Sequence, residues 1–354
     1  MVPRRQRLAE ALERAGAQAF LAHSRPNQLY LLDHPDPSTV ISRGSCPAIL
    51  FSAERTVVFP GIWTSNACRD MLPNCEVIPC ELGDPSPTEQ LDTYLKKAGL
   101  KKILSDELKP QIPGTEIAVD DVGALLRRTK DERDLAFMRE AARISDLGMS
   151  TAFKTVRPGL TTLEVTAEGT AAMLRAGAEY AVMNPAVGIG TYYLDSGEDP
   201  RRVIKEGDML FIDMACYVHG YLGDMTRAAI VGEGNALQRE LLATVHLAYR
   251  NASQAMVPGA DGRRIYQGVV DTYAAKGWAK YFVHHLSHGL GLGSDQPGIN
   301  RESADVLQVG DALSCEPGVY VPGIGGARVE NMIYVSAAGP EELTKCPIVP
   351  PLGF

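Results

Sequence analysis

The chain has 354 residues, 45% hydrophobic and 22% charged, which is the balance of a soluble globular protein with two domains or one large one and a core that needs no disulfide. Its formal net charge of −8, with no long basic block, excludes nucleic acid as an expected partner. No segment approaches the ~18 apolar residues of a membrane span, so no membrane partner is expected either.

The N-terminal MVPRRQRLAEALERAGA carries charge throughout and lacks the apolar stretch of a secretory leader. Leu8, Leu12 and Ala15 share one face of a first helix that Gly16 ends. AQAFLAH reads as a strand, and SRPNQLYLL as a loop leading into one. AILFS and TVVFP, separated by AER, read as a hairpin; EQLDTYLKKAG reads as a helix and KKILSD as a strand. A boundary near residues 120–130 divides a domain over 1–125 from a second over 126–354. RRTKDERD is read as the solvated start of a helix that continues through Leu135, Met138, Ala142, Met149, Phe153 and Val156 and stops at Pro158-Gly159. Seven scattered cysteines include no C-x-x-C pair, which argues against a disulfide framework or thiolate zinc and for a reducing, cytoplasmic setting.

An internal repeat follows. Arg139-Glu140 is matched by Arg239-Glu240, Pro158-Gly159 by Pro258-Gly259 and Gly177 by Gly277, all at an offset of 100 residues. GDMLFID (207–213) is matched by GDALSCE (310–316) at an offset of 103. The reading is a duplicated helix–strand unit packed about an approximate two-fold axis, with Asp213 and Glu316 facing each other from equivalent strand ends.

LFIDMACYV and YLGDMTRAAIV read as two strands joined at His219-Gly220. Asp213 and Asp224, eleven residues apart, then fall on one face of the hairpin. His288 lies amid glycines in HHLSHGLGLG, Glu316 precedes a Pro-Gly turn, and Glu330 begins another strand. Taken singly, each has a structural reading as a surface acid or a core histidine, with Arg328 as salt-bridge partner to Glu330. Together, four carboxylates neutralise two divalent cations and the imidazole adds a neutral donor. Mostly oxygen ligands with one nitrogen suit Mn²⁺, Co²⁺, Zn²⁺ or Fe²⁺. Such a pair generates hydroxide from bound water at neutral pH and polarises a carbonyl.

The order D-x(10)-D-x-T-R, H-x-x-x-H-G-x-G, E-P-G-x-Y and R-x-E resembles the pita-bread metallopeptidase superfamily over residues ~125–345, in its aminopeptidase P, prolidase and creatinase branch. The resemblance implies an α+β fold: a pita-bread catalytic domain with an internal pseudo-two-fold, preceded by a smaller α/β creatinase-like domain. It implies metal ligation by Asp213, Asp224, His288, Glu316 and Glu330, with Asp224 and Glu330 bridging and Glu316 also the general acid/base. Thr226 and Arg328 would orient the carboxylates, and His284 would contact substrate or shuttle protons. The implied activity is that of an Xaa-Pro aminopeptidase or prolidase on a small peptide or amide, in a homodimer.

Two family histidines are missing. One position falls in LDSGED, around Ser196; at the other, seven residues after His288, stands Asp295. An acid there would repel a peptide carboxylate, attract a cation, or act as a base on substrate carbon. The change leaves open a non-peptidase on the same scaffold, similar to ectoine hydrolase or dimethylsulfoniopropionate lyase. An inactive binding module is a further alternative, which retention of all five ligands disfavours.

Overall fold

The computed structural model describes residues 3–353 except 33, 35–36, 41–45, 108–111, 193–200, 294 and 303–304. The chain forms two compact units, Met1–Arg127 and Arg128–Phe354.

The first unit runs α1 (Arg4–Ala15), β1 (Ala19–Ala22), α2 (Arg25–Leu31), α3 (Pro37–Val40), β2 (Ala48–Ser52), β3 (Thr56–Phe59), α4 (Ser65–Met71), β4 (Glu76–Val77), α5 (Pro87–Ala98), β5 (Lys102–Ser105) and β6 (Glu116–Val119), with α6 (Val122–Arg128) at the boundary. Its strands form one sheet in the order β4-β3-β2-β1-β5-β6, antiparallel from β1 to β3 and parallel at both flanks. Ala19, Leu21, Leu50, Val57 and Phe59 pack one face of it against Leu91 and Leu95 of α5. Gly16 ends α1 at φ 61°, a conformation that favours glycine. SRPNQLYLL differs from its expectation, because α2 is a helix. Pro26 sits in the first turn, where a missing N–H costs no helix bond. Leu29, Tyr30 and Leu31 are buried, and the buried Gln28 amide donates to the carbonyls of Ala22 and Cys46, 3.0 Å from each.

The second unit runs α7 (Glu132–Thr155), α8 (Thr162–Arg175), β7 (Tyr180–Val187), β8 (Met209–Val218), β9 (Tyr221–Ile230), α9 (Ala236–Ala255), α10 (Gly262–Ala274), β10 (Ser287–Gly289), β11 (Asp295–Ile299), β12 (Ala312–Cys315), β13 (Gly318–Val321), β14 (Gly325–Arg328), β15 (Asn331–Ser336) and β16 (Gly339–Glu342). One half packs α7 and α8 on the sheet β7-β8-β9; the other packs α9 and α10 on the sheet β11-β10-β12-β15-β16 and the ribbon β13-β14.

The duplication is visible bond by bond. Gly159 N donates to Ile204 O at 2.9 Å, and Gly259 N to Leu307 O at 2.8 Å. Ile204 N returns to Leu160 O, as Leu307 N does to Ala260 O. Gly207 N reaches Val231 O and Gly310 N reaches Val335 O, while Asp208 and Asp311 each cap their turn by accepting from the backbone three residues earlier. The two halves meet where Glu330 N donates to Thr226 O at 2.9 Å. Thr226 and Glu330 are themselves separated by 104 residues, close to the repeat offset, so this bridge lies at the pseudo-two-fold.

Two expectations are corrected. The charge run RRTKDERD does start a helix but is solvated only in part: Glu132 is exposed, whereas Arg127, Lys130 and Asp134 are buried, and Asp131 is the N-cap of α7, accepting from Asp134 N. Asp213 lies in the middle of β8 rather than at its end, so the equivalence to Glu316, just past β12, is one of position and not of strand termination.

Gly289 faces the adjacent strand so closely that an added Cβ would sit 2.0 Å from the Asp295 carbonyl oxygen. Backbone cannot swing aside as a side chain does. Gly289→Ala is therefore expected to cost about 1–3 kcal/mol, read as a lowered urea midpoint; an unchanged midpoint would contradict this packing of β10 on β11.

Candidate metal centre

The hairpin β8–β9 turns through His219 (φ 51°) and Gly220 (φ 81°), positive at both central positions as a two-residue type I′ turn requires. This fixes the register Asp213↔Thr226 and Ala215↔Asp224. Asp213 and Asp224 thus lie diagonally on one face, as their spacing predicts, with Thr226 between them. The inter-half bridge brings Glu330 to Thr226. β10 carries His288, and Glu316 leaves the end of the neighbouring β12.

The five side chains converge. His288 Nε2 is 3.4 Å from Asp224 Oδ2 and 3.5 Å from Glu316 Oε1. Asp224, His288 and Glu330 offer ligand atoms within 4.8 Å of one another. Thr226 Oγ1 lies 2.8 Å from both Asp213 Oδ1 and Glu330 Oε2. Arg328 donates to Asp213 Oδ2 at 2.7 Å, to Thr226 Oγ1 at 3.1 Å and to the Tyr320 hydroxyl at 2.9 Å. Arg328 therefore pairs with Asp213, not with Glu330 as its sequence neighbourhood suggests.

The charges do not balance. One guanidinium faces four carboxylates, and one Thr226 hydroxyl proton cannot serve two carboxylate oxygens at once. Burial, with repulsion from Asp224, Glu316 and Asp213, drives the Glu330 carboxyl well above its usual range. Burial and the charges of Asp213 and Glu316 raise Asp224 as well, against the pull of His288. Burial opposes a charge on His288, but the hydrogen bond to Asp224 and the charges of Asp224 and Glu316 prevail and raise it to about 9. Glu316 moves the other way: burial is outweighed by the hydrogen bond from His285 and the charges of His285, His288 and Arg328, which hold it low. The cluster demands positive charge, and oxygen-rich donors with an imidazole fit divalent cations.

His284 is near this cluster but not of it. Its Nδ1 is 2.6 Å from the His285 carbonyl oxygen and its Nε2 is 3.1 Å from the Tyr320 hydroxyl. A carbonyl only accepts, so Nδ1 carries the proton. Burial, helped by Arg328, lowers the imidazole to about 4 and keeps it neutral. Asp295 is held apart: its Oδ2 is 3.3 Å from Lys130 Nζ, with both side chains almost wholly buried. The LDSGED position around Ser196 lies outside the described residues.

Three residues were given no role from the sequence. Tyr320 lies within E-P-G-x-Y and joins His284 to Arg328. Lys130 belongs to the charge run. His285 Nε2 stands 3.0 Å from Glu316 Oε1, and its only signal is a histidine doubled at His284-His285.

The model of metallopeptidase family M24 matches residues 136–337. An Xaa-Pro dipeptidase of Pyrococcus horikoshii is 30% identical over 71% of this chain and 74% of its own. A putative dipeptidase of Bacillus subtilis, YkvY, is 27% identical over 97% of both chains. The structure of an Xaa-Pro dipeptidase from Bacillus anthracis superposes with a TM-score of 0.87 at 26% identity, covering 99% of each chain. Aminopeptidase P from E. coli, at 19% identity and a TM-score of 0.77 over 97% of this chain and 95% of its own, shares the fold. That fold is the pita-bread.

Proposed function

The chain belongs to metallopeptidase family M24 and is a metallohydrolase, and from that premise we propose that it is a two-metal peptidase cleaving Xaa-Pro bonds in short peptides. The observation that carries this reading is the convergence of four carboxylates and His288 at the junction of the repeats, with a single guanidinium among them. Asp213, Asp224, His288, Glu316 and Glu330 would hold the cations, which when bound supply an activated water and polarise the scissile carbonyl. Glu316, kept ionised by its histidine and arginine neighbours, takes the proton from the attacking water and returns it to the leaving nitrogen. Arg328 and Thr226 fix the Asp213 carboxylate, and the Tyr320 hydroxyl positions His284, kept neutral by burial and Arg328, to contact substrate. Oxygen-rich donors with one imidazole favour Mn²⁺ in this reading, with Co²⁺, Zn²⁺ and Fe²⁺ as the alternatives. The relatives named as Xaa-Pro dipeptidases support the substrate class. A cytoplasmic homodimer completes the reading, in keeping with seven scattered cysteines that include no C-x-x-C pair.

Asp295 bears on the alternative. Its charge is answered at close range by Lys130, which cancels much of the repulsion of a peptide carboxylate expected from an acid there. The same pair departs from the family's histidine, and this departure is what favours a second reading, a non-peptidase amide or amidine hydrolase. Metal analysis followed by assay of Xaa-Pro dipeptides and tripeptides with Mn²⁺ separates the two. Two ions per chain with release of proline is the expected result. Two ions without proline release would move the assignment to the second reading.

A further inference from the structure

We propose that His285 is an additional metal ligand, so that the cation shared by His288 and Glu316 is held by two imidazoles rather than one; this rests on the two-metal reading above. His285 Nε2 is 3.0 Å and His288 Nε2 3.5 Å from the same Glu316 Oε1. All three residues offer ligand atoms within 4.8 Å of one another. A divalent cation with donors at about 2.0–2.2 Å sets neighbouring donors about 3.0–3.5 Å apart. The observed spacings are therefore those of adjacent corners of one coordination shell. The imidazole rings stand at 80° with centroids 5.5 Å apart, so they meet edge to face and do not stack. His288 Nδ1 is engaged with the Gly289 carbonyl at 3.2 Å, which leaves its Nε2 for the ion.

Access is open. The His285 side chain is 46% exposed and borders a cavity of about 1000 Å³ that Tyr266, Phe282, His284 and Arg301 also line. An exposed imidazole on a buried carboxylate can exchange its hydrogen bond for an ion without repacking the core. A second nitrogen donor strengthens the hold on Co²⁺ and Zn²⁺ more than on Mn²⁺, so His285 sets which ion the site prefers.

Wild type, His285→Ala and Asp224→Ala, each stripped of metal, are titrated calorimetrically with Co²⁺ and with Mn²⁺, and the visible spectrum of each Co²⁺ form is recorded. His285→Ala is expected to weaken one of two Co²⁺ sites by about 10-fold or more and Mn²⁺ less, and to shift the Co²⁺ bands as water replaces nitrogen. Isotherms and spectra identical to wild type would overturn the proposal and leave His285 as a hydrogen-bond donor alone. Loss of metal in Asp224→Ala upholds the two-metal reading whatever His285→Ala does. Wild type that takes up no metal overturns both.

Discussion

Asp224→Ala is expected to bind no metal and to lower kcat/KM on an Xaa-Pro substrate by at least about 10³-fold. Asp224 lies opposite Ala215 on the floor of the site and contacts His288 Nε2 at 3.4 Å, so it sits among all the other proposed donors. Burial and the charges of Asp213 and Glu316 make its ionised form costly. Removing it relieves repulsion when no cation is present. At pH 9 and above, where the His288 contribution described below has faded, the variant stripped of metal should accordingly melt no lower than metal-free wild type. A residue that merely supports the fold would show the reverse, with a lower melting temperature and normal metal uptake. Metal content by mass spectrometry, turnover and melting curves with chelator check the prediction together. Full turnover in Asp224→Ala would remove this carboxylate from the chemistry.

Metal-free wild type should lose stability as pH rises from about 6.5 to about 9, and saturating Mn²⁺ should remove that dependence. His288 ordinarily titrates at 6.5 and is raised to about 9 in the fold. A group raised in this way stabilises the folded state fully below its unfolded value, and the contribution is lost as pH climbs through the folded one. The amount from His288 alone is on the order of 3 kcal/mol. Asp224 and Glu330 are also raised, so their contributions also fade as pH rises. Glu316 is lowered; its contribution is present above its unfolded value and disappears only in acid, outside this window. Bound cations take the place of the protons and favour the ionised acids and neutral imidazole. Melting temperatures across this range, with chelator and with Mn²⁺, give the answer. A metal-free protein that gained stability from pH 6.5 to 9 would mean that the cluster is not starved of positive charge.

The parts of the site written in local rules could be read in advance. The alternation around Asp213 and Asp224, with His219-Gly220 between the strands, specified a two-residue turn and hence the shared face. The matched Gly-Asp turns announced the duplication, which set Glu316 as the counterpart of Asp213, while Glu330 was legible only through the R-x-E motif. Other features depended on contacts distant in sequence. α2 is a helix because Leu29, Tyr30 and Leu31 are buried and Gln28 finds carbonyls there, which its short polar-then-apolar run does not reveal. Lys130, between α6 and α7, is buried against Asp295 of β11, 165 residues away. His285 was missed for a geometric reason. Residues three apart on a regular strand point to opposite faces, but β10 begins only at Ser287 and its pairing with β11 is irregular between Ser287 and Gly289. That irregularity lets His285 and His288 reach the same oxygen.

The bridge between Thr226 and Glu330 joins positions that the repeat makes counterparts, and the same offset of 104 residues makes Asp224 the counterpart of Arg328. Where a perfect palindrome would set like against like, this chain sets a hydroxyl against a carboxylate and an anion against a cation. The architecture is mirrored but its chemistry is not. If two ions are held on either side of such an axis, as proposed, they would experience unequal fields; one would be gripped more firmly than its neighbour, and the weaker seat would be the natural place for an exchangeable ion.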